Sequence, residues 1–419
     1  MERRQNAALG SLPEVIPVYV ILAGMMYTPF LSRRDAWVLV NEDSGLIEDV
    51  GQGPCPVEGV PVIDAGDAIL CPGFIDIHVH AGGGADPLSE ALKGGDVAEA
   101  LLKMGKYEAT SGVTSFLPTT GALPDEVHLR LLGAIHDLVK RSPLSETRQR
   151  GALILGVNLE GPFISRKRKG AQPEEFIQPP RLEKARRLLE AYPGVARIMT
   201  VAPELEGAIP VIEYLVSNGI VACLGHSDAS YREAVVGIEA GISHVAHVFS
   251  GMRGFHHRDP GALGAVLLDD RVTCELIMDN VHVSPEAAKI LIRLKGADKI
   301  CLITDAIAAA GLPDGYYELY GRQVKVESGR ATLPDGTLAG STLTLAEAVK
   351  NMVNLVEVPV SEALRMATYN PARVVGISDR KGSIRRGMDA DLTLLDEDFS
   401  VRATVVGGRV VYRKEGKVG

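Results

Sequence analysis

Between residues 72 and 376 the chain alternates short apolar runs with longer segments whose apolar positions recur every three to four residues. The runs close at His78–His80, Pro118–Thr119, Glu160, Ala202–Pro203, Gly225–His226, His247, Asp279 and Thr304–Asp305. The longer segments, 88–110, 124–140, 181–191, 207–218, 228–240, 261–268 and 284–295, read as helices. Strand and helix in strict alternation predict parallel βα units. Eight runs over roughly 300 residues suit an α/β protein built on a (β/α)8 TIM-like barrel. A doubly wound open sheet is the competing arrangement, and the lack of a GxGxxG turn after any run weakens it. Beyond Asp305 the pattern predicts a hairpin over 316–333 and helices over 343–356 and 360–369.

The two ends follow a different pattern. Val18–Leu22, Ala36–Val40 and Gly45–Val50 near the start, and Asp391–Leu395, Val401–Val406 and Gly408–Tyr412 near the end, are short strand-like runs separated by turns. They predict a small β-sandwich domain assembled from residues 1–71 and 377–419, with the barrel, 72–376, inserted between its halves.

Composition narrows the function classes. Of 419 residues 46% are hydrophobic and 23% charged, a globular balance. A net charge of −9 argues against nucleic acid as a partner, since phosphate backbones demand clustered Lys and Arg; a local basic pocket for a small anion remains open. Cys55, Cys71, Cys223, Cys274 and Cys301 are scattered, odd in number and never in a CxxC pair, which fits a reducing compartment. The run Val15–Met26 is too short to span a bilayer and is interrupted by Pro17 and Gly24, and no signal-peptide core is visible, so a cytoplasmic protein without a membrane partner is expected.

Metal-competent and proton-transferring residues gather at the carboxyl ends of the strand-like runs, where a barrel builds its site: His78, His80, Glu160, His226, His247, His282 and Asp305. His78 and His80, two apart on a strand, point to one face, as a metal ion requires. Glu160 closes an apolar run and, if buried, needs a cation. Glu160, His226 and His247 together form a three-ligand set of the open, catalytic kind. Asp305 beside them is placed to take a proton from water and return it to a leaving group. Plainer readings stand alongside: paired core or surface imidazoles, a solvated loop glutamate, an N-capping aspartate. His244 faces away on its strand and reads as structural. His128 and His136, on the helix 124–140, read as solvated. Arg166–Lys169 reads as a solvated loop with a minor role in steering anions.

Pro72-Gly-Phe-Ile-Asp-Ile-His-Val-His80 resembles the first-strand motif of the amidohydrolase superfamily, and Lys381-Gly-Ser-Ile-Arg-Arg-Gly-Met-Asp-Ala-Asp-Leu392 its returning small-domain motif. Leu159-Glu-Gly-Pro-Phe-Ile-Ser165, Gly225-His-Ser-Asp-Ala229, His257-Arg-Asp-Pro-Gly261, Ile303-Thr-Asp-Ala306 and Leu338-Ala-Gly-Ser341 resemble, within it, the N-acetylglucosamine-6-phosphate deacetylase family. The resemblance implies a metal-dependent hydrolase that removes acetate from an amino-sugar 6-phosphate. It implies one or two divalent ions per subunit, Zn²⁺ first, held by Glu160, His226 and His247, with His78 and His80 placed for a second, and Asp305 as acid/base. It carries substrate contacts to Ala171, Gln172, Ser250, Gly251, His257, Arg258, His282, Leu338, Ala339 and Gly340, and implies a homodimer in which Arg258 reaches the neighbour's substrate. Three positions depart from the family pattern: Ser250 replaces Asn, Ala81 replaces Gly, and Gln172 replaces a His near the acetyl carbonyl. They bear on which sugar is taken rather than on the reaction. Cyclic-amide hydrolysis or deamination would be favoured by a Lys at the third strand end, where Glu160 stands. A metal-free barrel scaffold is the non-enzymatic alternative, and would be signalled by lost ligands.

Overall fold

The computed structural model describes residues 18–141 and 151–415. The chain before Val18, on which part of the signal-peptide and membrane reading rests, lies outside the described residues.

Eight parallel strands follow one another around a (β/α)8 barrel: Phe74–Val79, Val113–Pro118, Val157–Leu159, Ala196–Thr200, Val221–Leu224, His244–Val245, Thr273–Leu276 and Ile300–Leu302. The third to eighth pair in chain order as one sheet, and the first two pair with each other. The second and third strands join through a Thr119–Asn158 bridge and a 2.9 Å bond from the Thr120 N–H to the Asn158 carbonyl. The ring closes where the Asp305 N–H bonds the His78 carbonyl at 2.9 Å and the His80 N–H bonds Ala306 at 3.0 Å. Asp76 seals the same seam, accepting from the His78 N–H at 3.1 Å and the Thr304 hydroxyl at 2.6 Å. Every residue of the first two strands is buried, so they read as continuous apolar runs rather than alternating ones.

The helices fall where the periodicity puts them, with two divisions. The expected 88–110 helix is two, Pro87–Lys93 and Val97–Thr110. Gly94 ends the first at φ 79°, and the Asp96 side chain caps the second through the Glu99 N–H. The expected 360–369 helix ends at Ala367 and a short one, Tyr369–Val374, follows. The predicted hairpin is three-stranded, Gly315–Leu319, Arg322–Glu327 and Arg330–Thr332, and its Tyr320–Gly321 turn overhangs the barrel mouth.

The strands from both ends form one eight-stranded sheet, with the C-terminal strands joined to the N-terminal ones where Leu392–Leu395 pairs Ile69–Pro72. It curls until Ile47, on an edge strand, bonds the Met388 carbonyl at 2.9 Å. Ile21, Val38, Val40, Leu70, Leu392 and Val405 belong to its core, which is separate from the barrel's. Among the described residues no helix is long and apolar enough to cross a membrane.

His128 corrects the sequence reading. It is wholly buried, with Nε2 3.1 Å from the Gly121 carbonyl, because its helix turns this face, with Val127 and Leu131, onto the barrel. His136 stays partly exposed beside Asp137. Burial pushes the His128 pKa down to about 4. The unfolded chain therefore binds this proton more tightly, so the stability that neutral His128 brings is whole above its unfolded value and is lost as pH falls through about 4. His128→Gln keeps a donor for Gly121 and does not titrate. On lowering the pH through this window, wild type should lose about 3 kcal/mol more than the variant in urea unfolding. Equal losses would refute the assignment.

Candidate active site

The residues singled out at the strand ends converge on the carboxyl mouth of the barrel. Glu160, after the third strand, is the hub: its Oε1 lies 2.8 Å from His226 Nε2 and 2.7 Å from His247 Nε2. His78 Nε2 stands 3.6 Å from the same oxygen, and His80 Nε2 lies 3.5 Å from Oε2. Asp305 Oδ1 sits 3.0 Å from His80 Nε2 and 3.7 Å from His78 Nε2. His226, His247 and Asp305 all have positive φ (45°, 26° and 51°), uncommon backbone for such residues and concentrated at functional sites.

Each of the four imidazoles is anchored by its other nitrogen. Nδ1 donates to the Thr119 carbonyl from His80 (3.1 Å), to Arg168 from His226 (2.7 Å), to Ser250 from His247 (3.3 Å), and to the Glu275 carboxylate from His78 (2.7 Å). Nδ1 is thus committed to a protein acceptor in each ring and Nε2 is turned toward the carboxylates of the cluster, the orientation of metal-ligating histidines, in which a bound ion would stand in place of the Nε2 proton. His78 Nε2 is buried and has no hydrogen-bond partner among the described residues. His78, His80 and Asp305, and separately His78, Glu160 and His247, place one ligand atom each within 4.8 Å of one another. Imidazole nitrogens with carboxylate oxygens suit a borderline divalent ion.

The electrostatics agree. Burial alone would raise the Glu160 carboxyl, but the charges of His226 and His78 and the bonds from His226 and His247 hold it well below the usual carboxylate range. Burial would depress His78, yet Glu275 and Glu160 beside it carry it up to about 10. Asp305, which burial would raise, is held down by the His80 bond and charge. The buried, ionised carboxylates of Glu160 and Asp305 call for positive charge, which a dication can supply in place of protons.

A cavity of about 280 Å³ opens above this cluster. Of the proposed substrate contacts, Ala171, Gln172, Ser250, Gly251, His282, Leu338 and Gly340 line it. Gln172 Oε1 accepts the Ala122 N–H at 2.6 Å, and its buried Nε2 has no hydrogen-bond partner among the described residues. His282 is oriented by Asp279, whose Oδ2 lies 2.7 Å from its Nδ1. Gly340 packs against Asp305: at φ 63°, a Cβ there would sit 2.7 Å from the Asp305 carbonyl. Ala339 is fully buried beneath this wall and is not among the lining residues. His257 and Arg258 are exposed on a loop outside the cavity, bonded to each other at 2.7 Å.

The basic run 166–169 is largely paired. Arg168 and Lys167 reach Asp228 at 2.8 and 3.2 Å, and Arg166 bonds the Glu174 and Ile177 carbonyls. Its contribution to the site is the Arg168 carbonyl that holds His226. Sequence reasoning missed Tyr320 and Glu275. Tyr320 enters from the hairpin turn at φ 53°, its hydroxyl 3.4 Å from His80 Nδ1, in space that exists because residue 121 is glycine. Burial, with Glu160 and Asp305 nearby, raises its pKa well above the usual value, so it remains a neutral hydroxyl. A tyrosine before a glycine in a polar hairpin carries no sign of this.

Residues 69–411 match the amidohydrolase family. An N-acetylglucosamine-6-phosphate deacetylase of Bacillus subtilis (strain 168) is 38% identical over 346 residues, covering 83% of this chain and 85% of the relative. An N-acetylgalactosamine-6-phosphate deacetylase of Escherichia coli O157:H7 is also 38% identical, over 359 residues, covering 84% and 91%. Among solved structures, a mutant N-acetyl-D-glucosamine-6-phosphate deacetylase of Mycobacterium smegmatis in complex with N-acetyl-D-glucosamine-6-phosphate superposes with a TM-score of 0.86 at 31% identity, covering 94% of this chain and 99% of that one.

Proposed function

Because the chain belongs to the amidohydrolase family, we propose that its barrel mouth hydrolyses the acetamide of an amino-sugar 6-phosphate, N-acetylglucosamine 6-phosphate first, to acetate and the free amine. The observation that carries this reading is the set of imidazoles tied at Nδ1 and converging through Nε2 on Glu160 and Asp305. Glu160, His226 and His247 would hold one divalent ion, zinc first, and His78 and His80 a second. Such an ion, when bound, acidifies water and polarises a carbonyl.

The chain's own residues supply the rest. Asp305, ionised and steadied by His80 and by the wall at Gly340, accepts the proton of the attacking water and returns it to the departing nitrogen. Gln172, His282, Ser250 and Gly251 line the cavity and would border the sugar. Arg258 lies outside its own subunit's cavity, which supports a homodimer in which it binds the phosphate in the neighbouring site. The free cysteines suit a cytoplasmic enzyme.

The test is acetate release by the metal-loaded protein from N-acetylglucosamine 6-phosphate, its galacto and manno epimers, and the unphosphorylated sugars. Release from a phosphorylated sugar, with the others slower, is expected; no release from any would overturn the reading. The galacto epimer is the second candidate, because Ser250 offers a short hydroxyl where the family pattern has an amide, and the Escherichia coli relative is named for that sugar.

Arg258→Ala should raise KM for the phosphorylated substrate by roughly 10- to 100-fold, the scale of a lost charge-assisted hydrogen bond. It should leave the unphosphorylated sugar almost untouched. Equal loss on both substrates would reject the phosphate role. Mixing Arg258→Ala with Asp305→Asn subunits should restore part of the activity, since one of the two sites in a mixed dimer then holds both intact groups. No rescue in verified mixed dimers would reject action across the dimer.

A further inference from the structure

Glu275 sits in the seventh strand, inside the apolar run Cys274–Leu276, wholly buried and outside the cavity lining. Three N–H groups point at its carboxylate. Oε2 accepts from His78 Nδ1 at 2.7 Å and from the His247 backbone at 3.1 Å, and Oε1 accepts from His244 Nε2 at 3.0 Å. His244 is turned to offer Nε2 by the Thr273 hydroxyl, 2.6 Å from its Nδ1. This is the histidine that faces away from the cavity, and orienting Glu275 is its use.

We propose that Glu275 is the positioning residue for metal binding at His78, and that the same carboxylate oxygen ties this position to the backbone of His247 in the neighbouring one. A carboxylate behind an imidazole fixes its tautomer, sets the ring plane and raises the basicity of the nitrogen facing the metal. The other three imidazoles rest on neutral carbonyls, so His78 alone has a charged support. His78 is also wholly buried, and a cation placed there without Glu275 would lack this compensating charge. The inference rests on the metal-centre reading above, but not on the identity of the substrate.

Glu275→Gln tests it. The glutamine carbonyl can keep the His78 and His247 bonds, and its amide can face a His244 that has changed tautomer, so shape survives and the negative charge goes. Metal equivalents per chain are measured by dialysis against graded chelator, with Co²⁺ absorption to follow each position, for wild type, Glu275→Gln and His78→Ala. Wild type should hold two equivalents. Glu275→Gln should bind one of them roughly 10- to 100-fold more weakly, the range for losing an outer-shell partner, and it should be the one missing in His78→Ala. The unfolding midpoint of the metal-free protein should stay within about 2 °C of wild type. Unchanged affinity for both equivalents, only one equivalent in wild type, or a lowered metal-free midpoint with unchanged affinity would each overturn the proposal. Because no substrate enters this measurement, a failure to release acetate leaves it standing, and its own failure leaves the deacetylase reading standing.

Discussion

His226→Ala and His247→Ala should each cost the protein its metal and its activity together. Glu160 Oε1 lies within 2.8 Å of both Nε2 atoms, so either substitution removes a neutral nitrogen donor and leaves a buried carboxylate short of a partner. Loss of an outer-shell partner already costs about 10- to 100-fold in metal affinity, and a direct ligand should cost more. Metal content after gel filtration and the initial rate of acetate release should fall in parallel, by more than ~10²-fold in rate. Either variant keeping full metal and full rate would remove Glu160, His226 and His247 as the primary set. His78→Ala serves as the internal comparison: with His78 and His80 assigned to the second ion, its effect should fall mainly on one equivalent.

Asp305→Asn should leave metal and substrate binding in place while kcat falls by at least ~10². The side chain keeps its shape and its place beside His80, and the Gly340 wall that fixes its backbone is unchanged. What disappears is the capacity to accept a proton. The native carboxyl is held below its ordinary range, so it is ionised throughout neutral pH, and the loss should appear across that range rather than on an acid limb alone. An unchanged KM with the reduced kcat would place the defect in chemistry. Near-native turnover would mean that another group takes the proton.

The barrel was legible in the sequence, and so was the gathering of the candidate residues at its strand ends. Period-two and period-3.6 patterns report which face of a local element is apolar, and that is decided by residues close in sequence. A strand ends where its apolar run ends, so a polar residue there, such as Glu160, His226 or Asp305, is marked by position alone. Side-chain partnerships across the barrel are not marked in this way. Glu275 lies 197 residues from His78, and nothing in Cys-Glu-Leu shows that its neighbours are imidazoles. The 88–110 segment divides because Gly94 adopts left-handed backbone and Asp96 starts a new helix, a local signal that the continuous pattern obscured. His128 looked solvated because a helix's own period does not say what packs against its polar edge. Tyr320 reaches the site only because the hairpin folds back over the barrel and Gly121 leaves room for it.

The chain alone thus determined the strand and helix series, the closing residues of each strand, and so the metal-competent set. The tertiary structure decided which nitrogen of each histidine faces the carboxylates, what fills the space beside it, and that Arg258 stands outside its own cavity. Local patterning is written by the burial of neighbouring side chains, whereas tautomer, compensating charge and cavity shape depend on atoms that only the closed barrel brings within a few ångströms.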